Sequence, residues 1–227
     1  MTRAVLFDFY GTLARAVSWG PSIEEAFARH GLPLAPGAWD RWEDLDHRDG
    51  ADHAEHSTGV EAYEAWERSL LGEHAMACGV GPDDLDALVE DLYGLAKSYT
   101  LEAYEEAPGV LSELRRRGVT VAVCSNWDWH LDRALASAGL DGLVDVAVTS
   151  ARAGARKPHP RIYQVTLEQC GAVDAADALF VGDTWDADVE GPRAAGLRAL
   201  HLARPDDRRP PPAAGSIPNL RAVLDRL

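Results

Sequence analysis

The sequence contains few cysteines, and none of them is spaced for a zinc site. Three cysteines occur in 227 residues, at Cys78, Cys124 and Cys170, and no pair forms a CxxC motif. An odd number of isolated cysteines argues against both a disulfide framework and a cysteine-ligated zinc ion. Cys124 lies inside an apolar run, so we expect a small buried side chain there rather than a catalytic nucleophile.

Long apolar runs and positive charge are also lacking. No stretch approaches the roughly 20 consecutive apolar residues of a membrane-spanning helix, and the amino terminus does not resemble a signal peptide. We therefore expect a cytoplasmic protein with no membrane partner. The chain has 37 Asp and Glu against 22 Lys and Arg, with a formal net charge of −15. Because such a surface repels a phosphate backbone, we expect no nucleic-acid partner.

What the sequence does contain is a set of short apolar runs. Hydrophobic residues make up 46% of the chain, which predicts a packed core. Five runs are rich in Val, Leu or Ala without clean polar alternation, as in strands covered on both faces. They are AVLFDFY (4–10), VTVAVCSN (119–126), VDVAVTS (144–150), ALFVGD (178–183) and LRALHLA (197–203). Helical segments between these runs predict a doubly wound, Rossmann-like α/β fold with a parallel sheet.

Residues 14–105 interrupt this alternation. They contain no convincing strand, and their apolar residues recur at helical spacing. The segment SIEEAFARHG carries a capping box, with Ser22 as N-cap and Glu25 at the third helical position. We therefore predict an α/β core domain formed by residues 1–13 and 106–227, with a helical domain inserted at 14–105.

Reactive side chains follow the predicted strands. The candidates near the strand ends are Asp8, Thr12, Ser125, Asn126, Lys157, Asp183 and Asp188. In an open parallel sheet, ligands bind beyond the carboxyl ends of the strands, so we expect these side chains to share one crevice. Asp8 and Asp183 would repel each other there unless a positive group lay between them. Oxygen-rich ligands of this kind suit Mg²⁺, and Lys157 and Ser125 suit a bound anion.

The order of these motifs resembles the haloacid dehalogenase superfamily of hydrolases. FDFYGTL resembles its first motif, VCSN its second, ARKPHPRIY its third and VGDTWDADVEGPRAAG its fourth. The inserted helical region lies between the first and second motifs, where the family places its cap. The resemblance covers almost the whole chain, and it implies a hydrolase that works through a covalent aspartyl intermediate.

The resemblance also implies roles for individual residues. Asp8 would be the nucleophile, and the backbone carbonyl of Tyr10 and the carboxylate of Asp183 would complete the protein ligands of Mg²⁺. Asp188 would belong to the same acidic cluster, where it would orient a water or Lys157.

The implied anion-binding set lies around the same crevice. Ser125 and Lys157 would hold the transferring group, with Thr12 and Asn126 as further contacts. Arg41, in the inserted region, would meet a substrate carboxylate as an early cap arginine does in the dehalogenases.

Tyr10 is the position where two functions divide. Phosphatases of the family usually carry a second aspartate there, which protonates the leaving alcohol, whereas tyrosine is typical of the 2-haloacid dehalogenases. The fourth motif favours the phosphatase, because the metal-free dehalogenases have small neutral residues at the position of Asp183. We therefore predict a Mg²⁺-dependent phosphatase acting on a small anionic, phosphorylated metabolite, as a monomer or homodimer. A 2-haloacid dehalogenase and a catalytically weak phosphometabolite-binding protein stay open as alternatives.

Overall fold

The computed structural model describes residues 1–32, 34, 37–38, 40, 42, 56–204 and 216–227. Its strands are β1 (Ala4–Phe7), β2 (Ala14–Trp19), β3 (Tyr99–Ala103), β4 (Thr120–Ser125), β5 (Val146–Thr149), β6 (Ala178–Gly182), β7 (Arg198–Leu202) and β8 (Ser216–Ile217). Its α-helices are α1 (Ile23–Arg29), α2 (Val60–Ala77), α3 (Pro82–Ala96), α4 (Ala107–Arg116), α5 (Leu131–Ser137), α6 (Ser150–Ala153), α7 (Pro160–Gln169) and α8 (Gly191–Ala194). The described residues also form a π-helical turn at Asp186–Glu190 and 3₁₀ turns at Ala175–Asp177 and Leu220–Asp225.

A six-stranded parallel sheet carries the fold, in the order β5-β4-β1-β6-β7-β8. All four residues of β1 are fully buried, because β1 lies in the interior of the sheet and both its faces are covered. Phe7, the last residue of β1, is paired with Val123 of β4 and Val181 of β6. The predicted α/β class and all five predicted strands are confirmed.

The chain divides into two compact units. The first contains Met1–Arg15, residues 56 and 57, and the described residues of Leu101–Leu227, and it holds the six-stranded sheet. The second contains the described residues of Ala16–Gly50 and Thr58–Thr100, and it holds α1, α2 and α3. The domain boundaries at 13 and 106, and the role of the inserted region as a cap, stay predictions.

Within the second unit, the predicted capping box at the start of α1 is present. The backbone N–H of Glu25 donates to Ser22 Oγ at 3.2 Å, and the Ser22 N–H donates to Glu25 Oε2 at 2.8 Å.

No helix in the described parts of the chain is long and apolar enough to cross a bilayer.

The expectation that residues 14–105 contain no strand is wrong. β2 and β3 pair with each other as a separate two-stranded sheet, and the chain passes from one unit to the other within each of them. Both strands mix exposed polar residues with apolar ones, so neither shows the continuous apolar run of a buried strand. β8 was also not predicted, because two residues at a sheet edge leave no periodic signal.

Candidate active site

Three strand ends of the α/β unit bring the candidate residues together. Asp8 follows β1 directly, and its backbone N–H still donates to the Val181 carbonyl of β6 at 2.9 Å. Ser125 is the last residue of β4, and Asp183 follows β6. Ser125 Oγ donates to Asp8 Oδ1 at 2.9 Å, and both side chains are buried. The predicted meeting of these side chains beyond the carboxyl edge of the sheet is therefore observed for Asp8 and Ser125.

Lys157 connects two carboxylates of the site. Its Nζ donates to Asp8 Oδ1 and to Asp188 Oδ1, both at 2.7 Å, and its side chain is 3% exposed. Burial by itself lowers the pKa of Lys157, but the charges of Asp188 and Asp8 outweigh burial and hold that pKa above its ordinary value. The ammonium therefore stays charged and carries a fixed positive charge between two carboxylates.

Asp188 is held from two sides. Its Oδ1 accepts from Lys157, and its Oδ2 accepts from the backbone N–H of Thr184 at 2.9 Å. It lies in the π-helical turn, and a side chain at Gly182 would collide with its carboxylate, so a glycine is required there. Burial raises the pKa of Asp188 to about 6 against the opposing effect of the Lys157 charge. Because both oxygens are engaged, Asp188 is arranged to orient Lys157.

The turn after β1 is shaped around Asp183. Gly11 has a φ of 85°, which L side chains rarely adopt, and a Cβ there would lie 2.8 Å from Asp183 Oδ2. Thr12 Oγ1 donates to Asp183 Oδ1 at 3.3 Å, and Thr12 is fully buried. The observed role of Thr12 is therefore to orient Asp183, and its predicted contact with an anion stays a prediction.

Asn126 fixes the backbone that carries Lys157. Asn126 Nδ2 donates to the Lys157 carbonyl at 3.1 Å, and the Lys157 N–H donates to Asn126 Oδ1 at 2.7 Å. This pair ties the end of β4 to the third motif. The amide is thus used to position Lys157, and a direct contact with substrate stays a prediction.

Aromatic side chains lie next to Asp8. Tyr10 is 39% exposed, and its ring is stacked with Trp127 at 6.4 Å between centroids. Phe9 meets Trp127 edge to face at 5.3 Å. Tyr163 of the third motif is instead buried in the core, where its hydroxyl donates to the Ala187 carbonyl at 2.6 Å.

Arg41, the predicted contact for a substrate carboxylate, lies outside the described residues. Sequence reasoning also missed two side chains near the end of β7. His201 Nε2 lies 3.1 Å from the Asp183 carbonyl oxygen, and Arg204 donates to the carbonyls of Gly11 and Thr12. Both could have been found by inspecting the carboxyl end of LRALHLA, the fifth predicted strand, as was done for the other strands.

The acidic cluster suits a divalent cation. Asp8, Asp183 and Asp188 each offer a carboxylate oxygen, and these oxygens lie within 4.8 Å of one another. Three carboxylates and the Lys157 ammonium give a formal charge of −3 + 1 = −2. Hard oxygen donors with this residual charge match what Mg²⁺ prefers. The residues present therefore fit the predicted metal.

Comparison with known proteins agrees with this geometry. A family model described as a haloacid dehalogenase-like hydrolase matches residues 2–196. A phosphoserine phosphatase from Thermus thermophilus is 34% identical over 157 residues, covering 66% of this chain and 62% of that protein. A phosphatase from Mycobacterium tuberculosis is 38% identical over 126 residues, covering 55% of this chain and 57% of that protein. The chain spans about three fifths of the length of the first curated relatives that it matches.

The solved structures agree on the fold. A 2-haloacid dehalogenase from Pseudomonas syringae superimposes with a TM-score of 0.67 at 23% identity, covering 100% of this chain and 99% of that chain. At this identity the similarity concerns the fold alone. The family match covers most of the chain, and the described site carries the side chains of all four motifs. The chain is therefore a member of the haloacid dehalogenase-like hydrolase family.

Proposed function

We propose that this chain is a Mg²⁺-dependent phosphatase acting on a small phosphorylated metabolite. The observation that carries the proposal is the position of Asp183, whose carboxylate lies with those of Asp8 and Asp188 in one cluster. A metal-free site would gain nothing from this third acidic group beside the nucleophile. The similarity to proteins named as phosphatases supports the same choice.

The chemistry starts from Asp8. Its carboxylate attacks the phosphorus atom, so that one Asp8 O–P bond forms while the bond from phosphorus to the ester oxygen breaks. Ser125 and Lys157, which donate to Asp8 Oδ1 at 2.9 and 2.7 Å, orient the carboxylate. The same two donors would also bind the oxygens of the transferring phosphoryl group. Water then hydrolyses the acyl phosphate and releases inorganic phosphate.

The metal would be held by Asp8, the backbone carbonyl of Tyr10 and Asp183, with Asp188 acting through Lys157. When bound, Mg²⁺ offsets the negative charge of the phosphoryl oxygens and of the carboxylates, which would otherwise repel the substrate. Thr12 and Gly11 contribute by keeping the Asp183 carboxylate in place.

Tyr10 supports 2-haloacid dehalogenase activity as a second candidate. A tyrosine at this position does not offer the carboxylic acid that protonates a leaving alcohol, and expulsion of halide needs no proton. In that reaction the Asp8 carboxylate would attack carbon and displace halide. Several solved structures with the same fold are described as dehalogenases.

One panel of assays separates the two candidates. The wild-type protein is incubated with aryl, acyl and alkyl phosphates and with 2-haloacids, with Mg²⁺ or with EDTA, and released phosphate and halide are measured. The proposal expects phosphate release that EDTA abolishes and that Asp183→Asn strongly weakens. Halide release in EDTA would instead establish the dehalogenase. Asp8→Asn serves as the control, since it removes the nucleophile of either reaction.

The helical unit is proposed to act as the cap that selects the substrate. A cytoplasmic location and a monomer or homodimer belong to the same proposal. Size-exclusion chromatography with light scattering measures the oligomeric state directly, and a larger assembly would contradict it.

A further inference from the structure

Arg204 lies just beyond the end of β7, with its side chain only 10% exposed. Its Nε donates to the Gly11 carbonyl at 3.2 Å, and its Nη2 donates to the Thr12 carbonyl at 2.6 Å. These are two consecutive carbonyl groups of the turn that follows Asp8. One guanidinium group therefore holds both peptides of this turn, although it lies 192 residues further along the chain.

The guanidinium group is itself held on its remaining sides. Its Nη1 donates to Glu106 Oε1 at 2.9 Å, and the Glu106 side chain is also 10% exposed. Its central carbon lies 3.3 Å from the centroid of the Tyr104 ring, which places the cation against the ring face. The carboxylate of Glu106 and the ring of Tyr104 fix the planar guanidinium group of Arg204. Its two other donors therefore point at the turn with little freedom.

The turn that Arg204 holds also orients Asp183. Thr12 Oγ1 donates to Asp183 Oδ1, and Gly11 lies so close to the carboxylate that a Cβ would be 2.8 Å from Oδ2. A small rotation of the Gly11 or Thr12 peptide would therefore move a side chain of the acidic cluster. The contacts run without interruption from Arg204 through the turn to Asp183.

We propose that Arg204 is a positioning residue that holds the Gly11–Thr12 turn and, through it, the Asp183 carboxylate. The consequence for catalysis rests on the proposed phosphatase function, whereas the consequence for the turn does not. Lysine should not replace Arg204, because an ammonium group lacks the planar fork that meets two carbonyls and a carboxylate at once.

The test uses Arg204→Lys, which keeps the charge beside Glu106, and the double variant Arg204→Met/Glu106→Gln, which removes the buried charge pair together. Arg115→Lys is the matched control. Arg115 also contacts a backbone carbonyl and a carboxylate in the same unit, donating to the Gly142 carbonyl at 2.5 Å and pairing with Asp145 at 2.9 Å, but its side chain is 42% exposed.

Two measurements are made on each folded variant. The first is hydrogen exchange of the turn amides, where Gly11 N–H donates to the Ala14 carbonyl and the N–H groups of Leu13 and Ala14 donate to the Phe9 carbonyl. The second is the Mg²⁺ concentration that gives half-maximal phosphate release. We expect both Arg204 variants to exchange these amides faster and to need about 10- to 100-fold more Mg²⁺, as for other residues that support metal ligands. Arg115→Lys should change neither quantity.

The outcomes separate this inference from the proposed function. If the wild-type protein releases no phosphate, the proposed function fails, while the exchange measurement still tests the turn. Unchanged exchange and unchanged Mg²⁺ dependence in a folded Arg204 variant would overturn the positioning role. Loss of the fold in both Arg204 variants, judged by circular dichroism, would assign Arg204 to general stability and overturn it as well.

Discussion

Among single residues, Tyr10 is the one that we propose limits which leaving groups the site can release. A proton supplied by a positioned acid is worth about 10²- to 10⁴-fold in rate. Tyr10 takes the place of that acid, and its ring packs on Trp127. On the proposed phosphatase function, the leaving oxygen would take its proton from water or leave without one, which would favour aryl and acyl phosphates over alkyl phosphates.

The first prediction concerns this missing acid. Tyr10→Asp is expected to raise kcat on alkyl phosphates, by as much as the about 10²- to 10⁴-fold that a positioned acid typically contributes. The change in kcat on aryl phosphates should be much smaller. Tyr10→Phe keeps the ring and is expected to behave like the wild type. Steady-state kinetics on matched alkyl and aryl phosphates provides the measurement. An equal gain on both substrate types would show that Tyr10 limits the rate by another route.

The second prediction concerns the buried charge at Lys157. Lys157→Met leaves the carboxylates of Asp8 and Asp188 without the ammonium that bridges them. We expect the free energy of unfolding in EDTA to fall by about 3–5 kcal/mol, as for other broken buried ion pairs. Arg116→Met, which breaks the more exposed pair with Glu113, should lower this free energy much less. Urea unfolding measures both, and equal losses would contradict the difference in burial.

The third prediction concerns the cysteine thiols. Burial raises the pKa of Cys124 to about 12 and that of Cys170 to about 11. Below a pKa, the thiolate fraction grows tenfold with each pH unit, so alkylation of the half-buried Cys170 should accelerate steadily from pH 8 to pH 10. Cys124 is fully buried and should react only after denaturation. Iodoacetamide labelling with peptide mass spectrometry measures both, and rapid labelling of native Cys124 would refute this prediction.

Among the elements, the turn after β1 carries more of the site than its length indicates. It presents Asp8 and Tyr10, and it packs against Asp183 through Gly11. Its geometry depends on a glycine for two separate reasons, a positive φ and the close approach of a carboxylate. These two requirements can be separated by comparison with a second glycine.

The fourth prediction makes that comparison. Gly118 has a φ of 75° with no atom within 4 Å of an added Cβ, so Gly118→Ala should cost about 1–2 kcal/mol of stability and leave activity intact. Gly11→Ala adds contact with the Asp183 carboxylate, so it should lose more stability and also reduce Mg²⁺-dependent phosphate release. Urea unfolding and the phosphate assay test both, and an active Gly11→Ala protein would contradict the close packing.

At the scale of the whole molecule, the chain carries a formal net charge of −15, while Lys157 supplies a positive charge within the candidate site. On the proposed function, an anionic substrate would therefore need the local positive charges of Lys157 and of a bound Mg²⁺, because the three carboxylates and Lys157 together carry a formal charge of −2. A long polyanion would in addition meet the acidic surface of the chain. The molecule is thus expected to accept small anions and to reject nucleic acids.

The fifth prediction tests this selectivity. The protein should cause no mobility shift of duplex DNA at about 50 mM salt, where non-specific binding is favoured. Inorganic phosphate should nevertheless inhibit the phosphatase reaction competitively. A DNA shift that disappears on raising the salt concentration would show a basic surface that the net charge conceals.

The sequence by itself determined the α/β class, the five main strands and the residues Asp8, Ser125 and Asp183 at their ends. It could do so because a strand buried on both faces needs a continuous apolar run, and an acid directly after such a run is conspicuous. Lys157 and Asp188 were candidates on the same grounds, and the resemblance of the four motifs to the family added the roles implied for them.

Only the tertiary structure decided which of these residues contact each other. Lys157 bridges two carboxylates that lie 149 and 31 residues away, and Arg204 holds a turn 192 residues away. The pairing of β2 with β3 is likewise a contact between segments distant in sequence. Such contacts depend on where packing places each chain segment, and the local sequence around a side chain does not identify the distant residue that it contacts.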